Sequence, residues 1–261
     1  MLSKNKIKFI NSLKKKKNRI KKGCFIAEGE KIIFELLGDS TYKITELFAI
    51  ESFLSKLTSQ QKDTIDELHA ITEEELDKVS DLKNPNKTIA VVKIPEYTLE
   101  LEEVKNSLCL VLDNINDPGN LGTIIRTADW FGINHIFCSE DSVDLYNPKV
   151  IQSTMGSFMR IKLFYKNLET FLPKFRGIKG FQTYGCFLEG QNIYSAPLLD
   201  KGFIVMGSES HGISDNLENY IHQKLYIPRF MRDDKHSPAE SLNISVATGI
   251  VCSEFRRTLT K

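Results

Sequence analysis

The sequence predicts two α/β units in tandem, the second built on a mostly parallel sheet with helices on both faces. Two observations carry that expectation. Short apolar or β-branched runs alternate with stretches of helical period along the chain. From residue 107 onwards the strand–helix unit repeats, the pattern of parallel strands joined by crossovers. An acidic, polar stretch from Glu96 to Asn106 has no strong core signal after Leu101 and reads as the linker. The expected domains are therefore residues 1–105 and 106–261.

Taken in order, Ile7, Ile10 and Leu13 recur among lysines and predict one amphipathic basic helix, broken at Gly23. CFIAEG reads as a strand and EKIIFELLGD as a helix. ITELFAI is a strand, 52–61 a helix and DELHAIT a strand, followed by a helix with the capping-box pair Thr72 and Glu75. KTIAVVKIP closes the first unit with a strand. Glu28 and Gly29 read as a strand-to-helix junction. In the second unit an apolar run, Leu108 to Leu112, meets a polar turn from Asp113 to Asn120 and then a helix marked by Leu121, Ile124, Ile125, Ala128 and Phe131. HIFCS, IKLFY, FQTYGCFLE, GFIVMGS and LYIP are further strands. Asn147 and Pro148 open one helix, a second spans Leu168 to Phe175, and SLNISVATGIVCSEFRRTL forms the last.

Composition excludes several classes. With 41% hydrophobic and 26% charged residues the chain is an ordinary globular one. No run approaches the length of a membrane span, and the N-terminus lacks the apolar stretch of a secretory signal. The five dispersed cysteines, Cys24, Cys109, Cys138, Cys186 and Cys252, form no CxxC pair, so they read as reduced core thiols in a cytoplasmic protein. No histidine has a partner set for a metal, and no metal is expected. The net charge of +1 hides an asymmetry: ten basic residues precede the first acid, Glu28, leaving a net of −9 on the rest. Such a run suits a polyanion or a merely solvated helix, and charge alone does not choose.

Three polar constellations interrupt the second unit: Asn116, Asp117, Pro118, Gly119 and Asn120 with Arg126; GSESHGIS, holding Glu209 and His211; and Ser241 with Asn243. Each lies beyond a strand or at a helix start, the edge where open α/β sheets bind ligands. The bland alternatives are turn and cap roles for the asparagines and aspartate, an N-cap for Ser241, and a surface ion pair for Arg126. A nicotinamide enzyme is disfavoured because no GxGxxG follows an early strand.

At these residues the sequence resembles the SpoU/TrmH family of RNA 2'-O-ribose methyltransferases, within the knotted SPOUT class. NDPGNLGTIIRTADWFG matches the first motif, MGSESHGIS the second, and IP with SLNISVATGIVCSEFRR the third. FIAEGEKIIFELL resembles the start of an RNA-binding domain similar to ribosomal protein L30e. The resemblance implies a deep trefoil knot and S-adenosylmethionine as donor. The donor would be held by Phe187, Leu188, Gly190, Met206, Gly207, Gly212, Ile213, Ile227, Ser241 and Leu242. It implies a homodimer, structured RNA as substrate, and catalytic roles at Arg126, Asn120, Glu209, Ser241 and Asn243.

In this reading Arg126 stabilises the activated 2'-hydroxyl electrostatically, Asn120 and Glu209 fix the loop and Arg126, and Ser241 and Asn243 organise the knot. Lys14, Lys15, Lys16, Lys17, Arg19, Arg126 and Arg232 are the RNA-contacting cations. The expected substrate is 23S ribosomal RNA. Transfer RNA is the alternative, and a non-catalytic knotted RNA-binding protein is a third reading.

Overall fold

The computed structural model describes residues 2–82, 85–230 and 240–257. Two compact units emerge: Met1–Tyr97 with Asp144–Met159, and Thr98–Val143 with Arg160–Lys261.

The first unit opens with two helices, α1 (Lys4–Ser12) and α2 (Lys16–Lys22), where the periodicity reads one. The break has a physical cause. Leu13 buries its side chain, and the carbonyls of Leu13 and Lys14, freed by the break, accept from the Arg19 guanidinium at 2.8 and 2.9 Å. The same guanidinium donates to Asp144 Oδ2 at 2.9 Å from Nε and 2.5 Å from Nη2. At 2% exposure Arg19 is a structural residue, which corrects its expected place among the RNA-contacting cations. Lys14 is also engaged, with Asp81 at 2.7 Å.

The chain continues through β1 (Cys24–Glu28), α3 (Glu30–Leu37), β2 (Ile44–Ala49), α4 (Glu51–Leu54), α5 (Ser59–Asp63), β3 (Glu67–Ala70), α6 (Glu73–Asp77) and β4 (Thr88–Lys93). The helix expected over 52–61 is thus two short ones, because Thr58 starts afresh in a capping box with Gln61. The Thr72–Glu75 box is present. The sheet order is β1-β4-β2-β3, with β4 antiparallel to both neighbours and β2 parallel to β3. One face packs Ile26, Phe48, Ile89 and Val91 against Ile10 and Leu13. Phe25, on the alternate face of β1, meets Tyr42, Tyr146 and Phe158, the last two brought by the Asp144–Met159 segment.

Parallel register also places His69 beside Glu67 and Glu46, with ligand-type atoms of all three within 4.8 Å of one another. A histidine therefore does have a carboxylate set, contrary to expectation. The Lys6 ammonium sits on both carboxylates, at 2.5 and 3.4 Å.

In the second unit the expected linker carries α7 (Leu101–Lys105), whose Val104 is fully buried in the core. Then come β5 (Leu108–Leu112), α8 (Pro118–Trp130) and β6 (His135–Ser139), followed by α9 (Pro148–Thr154) in the first unit. β7 (Lys162–Lys166) precedes α10 (Leu168–Phe171), which tightens into a 3-10 turn over Leu172–Phe175. β8 (Gln182–Asn192), β9 (Gly202–Met206), α11 (Asp215–Glu218), β10 (Gln223–Tyr226) and α12 (Ile244–Arg257) complete the chain.

The six strands run in the order β10-β8-β9-β5-β6-β7 and every pairing is parallel. Strand period splits their side chains between two layers. Cys109, Val111, Phe137, Phe203 and Val205 pack with Phe171, Phe175 and Phe181. On the other face Tyr184 meets Phe255 of α12, ring centroids 4.9 Å apart. α8 and α12 run parallel: Ser245 Oγ donates to Asn120 O at their starts (3.2 Å), and Arg256 donates to the carbonyls of Phe131 and Gly132 at their ends. All five cysteines are free. Burial pushes the thiols of Cys109 and Cys252 up to about 12, as unreactive core residues behave.

Candidate active site

Parallel strands deliver their carboxyl ends to one edge, so the segments following β10, β8, β9 and β5 emerge side by side in that order. After β5, Asp117 caps α8 by accepting from Asn120 N at 2.8 Å, with Pro118 at the first helical position. The polar turn thus ends at Asp117, and Asn120 already lies in the first helical turn.

Asn120 is one member of a cluster assembled from three distant segments. Its amide nitrogen donates to Glu209 Oε1 (3.3 Å), and its Oδ1 accepts from Asn243 Nδ2 (3.0 Å) and Ser245 Oγ (3.1 Å). Glu209 Oε1 also accepts from Asn243 Nδ2 at 2.5 Å and from Ile244 N at 3.1 Å. A carboxylate at the first turn of the 14-residue α12 is favoured by the helix dipole and satisfies an otherwise unpaired amide.

Three expectations change here. The cap of α12 is Asn243, whose Oδ1 accepts from Ser245 N at 3.0 Å; Ser241 is exposed two residues earlier. Glu209 holds the start of α12 and Asn120. Among the described residues neither Glu209 nor Asn120 is bonded to Arg126. Ser245 joins the cluster without having been singled out, although a serine two residues inside a capped helix start was a readable signal.

Arg126 is exposed on α8. At 100° per residue it stands about a third of a turn away from the face carrying Asn120. The structure thus brings together Asn120, Glu209 and Asn243 and leaves Arg126 as a separate exposed cation. Arg232 lies outside the described residues.

The segments expected to hold the donor occupy the same sheet edge. Phe187, Leu188 and Gly190 belong to the end of β8, with Leu188 exposed despite being apolar. Met206 ends β9, and Ile227 follows β10. The loop from Gly207 to Ile213 is closed on itself by mutual Ser208–Gly212 backbone bonds, both 2.9 Å. A Cβ on Gly207 would stand 2.0 Å from the carbonyl carbon of Gly212, so only glycine permits this closure. Gly190 is also pressed against the next strand: a Cβ there would be 2.6 Å from Lys224 O. Leu242 is exposed beside the cap of α12. Backbone-rich loops flanked by exposed leucines fit a ligand with an apolar heterocycle and several polar groups.

All-parallel strands, a polar cluster on their carboxyl edge and a last helix laid beside the first after it define a class, the SPOUT-type RNA methyltransferases with their trefoil-knot architecture. The family model described as the SpoU rRNA Methylase family matches residues 107–253, and that of the MRM3-like substrate binding domain matches residues 4–90. The chain belongs to the SpoU rRNA methylase family.

Among its relatives, 23S rRNA (guanosine(2553)-2'-O)-methyltransferase RlmP of Bacillus subtilis is 28% identical over 96% of each chain. A Porphyromonas gingivalis structure assigned to the TrmH family of RNA methyltransferases is 36% identical, with a TM-score of 0.84 over 99% of each chain. The AdoMet-bound rRNA methyltransferase of Sinorhizobium meliloti is 27% identical, with a TM-score of 0.85 over 99% of this chain and 97% of that one. The protein is an S-adenosylmethionine-dependent RNA 2'-O-methyltransferase. Among the described residues no helix is long and apolar enough to cross a membrane.

Proposed function

We propose that this enzyme methylates a ribose 2'-hydroxyl in 23S ribosomal RNA, with the first unit, Met1–Tyr97 and Asp144–Met159, binding the RNA and the second carrying the transfer, in the cytoplasm. The observation that carries the ribosomal reading is the end-to-end likeness to RlmP, 96% of both chains. A structure concerned with 2'-hydroxyl methylation of C/U34 on tRNA covers 59% of this chain, with a TM-score of 0.51. Mapping ribose methylation across total RNA from cells with and without the gene tests the proposal. One 23S position should lose its mark, and loss of a tRNA mark instead would overturn the ribosomal assignment.

The donor, when bound, supplies a methyl group on a sulfonium that leaves as a neutral thioether. The chain's own residues have three tasks. Backbone groups of Gly207 to Ile213, with Phe187, Leu188, Gly190, Met206, Ile227, Ser241 and Leu242, hold the donor at the carboxyl edge. Asn120, Glu209, Asn243 and Ser245 lock that edge to the starts of α8 and α12. Arg126 offers the planar donor fork of its guanidinium to the developing alkoxide of the ribose and the adjacent phosphate, stabilising their charge electrostatically.

For the RNA, Lys15, Lys17, Lys21 and Lys22 are exposed on and beside α2, whereas Lys14 and Arg19 are engaged internally. Replacing Lys17 and Lys21 by alanine should raise the KM for RNA while leaving kcat near wild type. The slope of log KM against log salt should fall by about one for each phosphate that is no longer neutralised. An unchanged slope would exclude this face from RNA binding.

For the dimer, α8 and α12 present Trp130, 85% exposed, and Val246, 52% exposed. An indole left bare to that degree suits the centre of a protein interface. Trp130→Ala is expected to weaken self-association by at least about thirtyfold, roughly 2 kcal/mol. Sedimentation across a dilution series measures it, and a wild-type chain that stays monomeric at micromolar concentration would refute the dimer.

A further inference from the structure

We propose that Asp113, which nothing above places in catalysis or donor binding, is the positioning residue that clamps both ends of the Gly207–Ile213 loop. The proposal rests on that loop holding the donor. Asp113 is the residue after β5 and is 4% exposed. Its backbone N–H donates to Met206 O at 2.9 Å, extending the β5–β9 ladder to the residue before the loop. Its carboxylate Oδ2 accepts from Ser214 N at 2.8 Å and from Ser214 Oγ at 2.6 Å, fixing the residue after the loop.

Ser214 is the N-cap residue of α11, yet its hydroxyl makes no capping bond to its own helix. A serine in that position ordinarily satisfies a helix amide. Here the hydroxyl is committed to Asp113 instead, so the local helix forgoes its cap for a contact 101 residues away in sequence. Within the span so fastened, Ser208 and Gly212 close on each other and Glu209 reaches the start of α12. One residue therefore sets where the loop begins, through its backbone N–H, and where it ends, through its buried carboxylate. Through the loop it sets where Glu209 meets Asn243 and Ile244.

The test compares Asp113→Ala, Asp113→Asn and Ser214→Ala in the full chain. S-adenosylmethionine affinity is read by calorimetry, KM for RNA by kinetics, and the amides of residues 207–213 by hydrogen exchange. Loss of hydrogen bonds to a charged acceptor should weaken donor binding in Asp113→Ala by about tenfold or more and speed loop exchange comparably. The RNA KM should stay near wild type. Asp113→Asn keeps an acceptor oxygen of the same shape and should recover most of the affinity. Ser214→Ala keeps the backbone bond and should fall between.

Where Asp113→Ala unfolds, Ser214→Ala carries the same comparison. Unchanged exchange and donor affinity in Asp113→Ala, or an Asp113→Asn as impaired as the alanine, would overturn the clamp. A wild-type chain that binds no S-adenosylmethionine would instead overturn the functional reading, while the exchange comparison in the free protein would still report on the clamp.

Discussion

An enzyme carrying Arg126→Ala is expected to bind S-adenosylmethionine as the wild type does and to transfer methyl about 10²–10³-fold more slowly, a loss of roughly 3–4 kcal/mol in transition-state stabilisation. The separation of the two effects follows from geometry. Arg126 is exposed on α8, and the bonds that fix the carboxyl edge run among Asn120, Glu209, Asn243, Ile244 and Ser245. Removing the guanidinium therefore leaves the loops proposed to hold the donor in place and takes away only the cation proposed to face the developing charge. Arg126→Lys keeps a charge but loses the planar fork and should recover part of the rate. Single-turnover kinetics beside calorimetric donor affinity checks both statements. A near-normal rate in the alanine variant would remove Arg126 from the chemistry.

Gly207→Ala is expected to abolish donor binding, with affinity falling beyond about a hundredfold. The added methyl group would stand 2.0 Å from Gly212 C and 2.2 Å from Ile213 N, backbone against backbone, with no side chain able to swing aside. The Ser208–Gly212 bonds must open, and Glu209 then moves away from the start of α12. Overpacking of this kind costs ~1–3 kcal/mol or more. Activity should fall with affinity, because the loop carries Glu209 as well as the backbone proposed to hold the donor. Circular dichroism confirms that the variant is folded, and calorimetry reads the donor. A variant that binds S-adenosylmethionine normally would show that this closure is dispensable.

The parallel sheet was legible because strand and helix period speak through local residues, and the three polar constellations because each sits at a strand end or helix start. What escaped had non-local causes. One apparent helix became α1 and α2 because Arg19 satisfies the carbonyls at the break, and its own partner, Asp144, lies 125 residues away. α7 hid in a polar stretch because a single residue, Val104, supplies its buried contact. In the site, the side-chain types were readable but the bonds were not. Sequence proximity favoured Ser241 as the cap, whereas the chain places Asn243 there and adds Ser245. Asp113 read as the first residue of a turn, because the residue that explains its burial, Ser214, is on another strand's loop.

The Asp144–Met159 segment has a consequence for protein engineering. It supplies Tyr146 and Phe158 to the core around Phe25, and Asp144 to a guanidinium that is otherwise sealed from water. Breaking a buried pair by deleting one partner costs ~3–5 kcal/mol, a large share of a small domain's stability. The first unit therefore cannot be grafted onto another methyltransferase as one contiguous cassette. A chimera has to carry both pieces, the first 97 residues and the sixteen that complete them, or redesign the hole that the missing piece leaves.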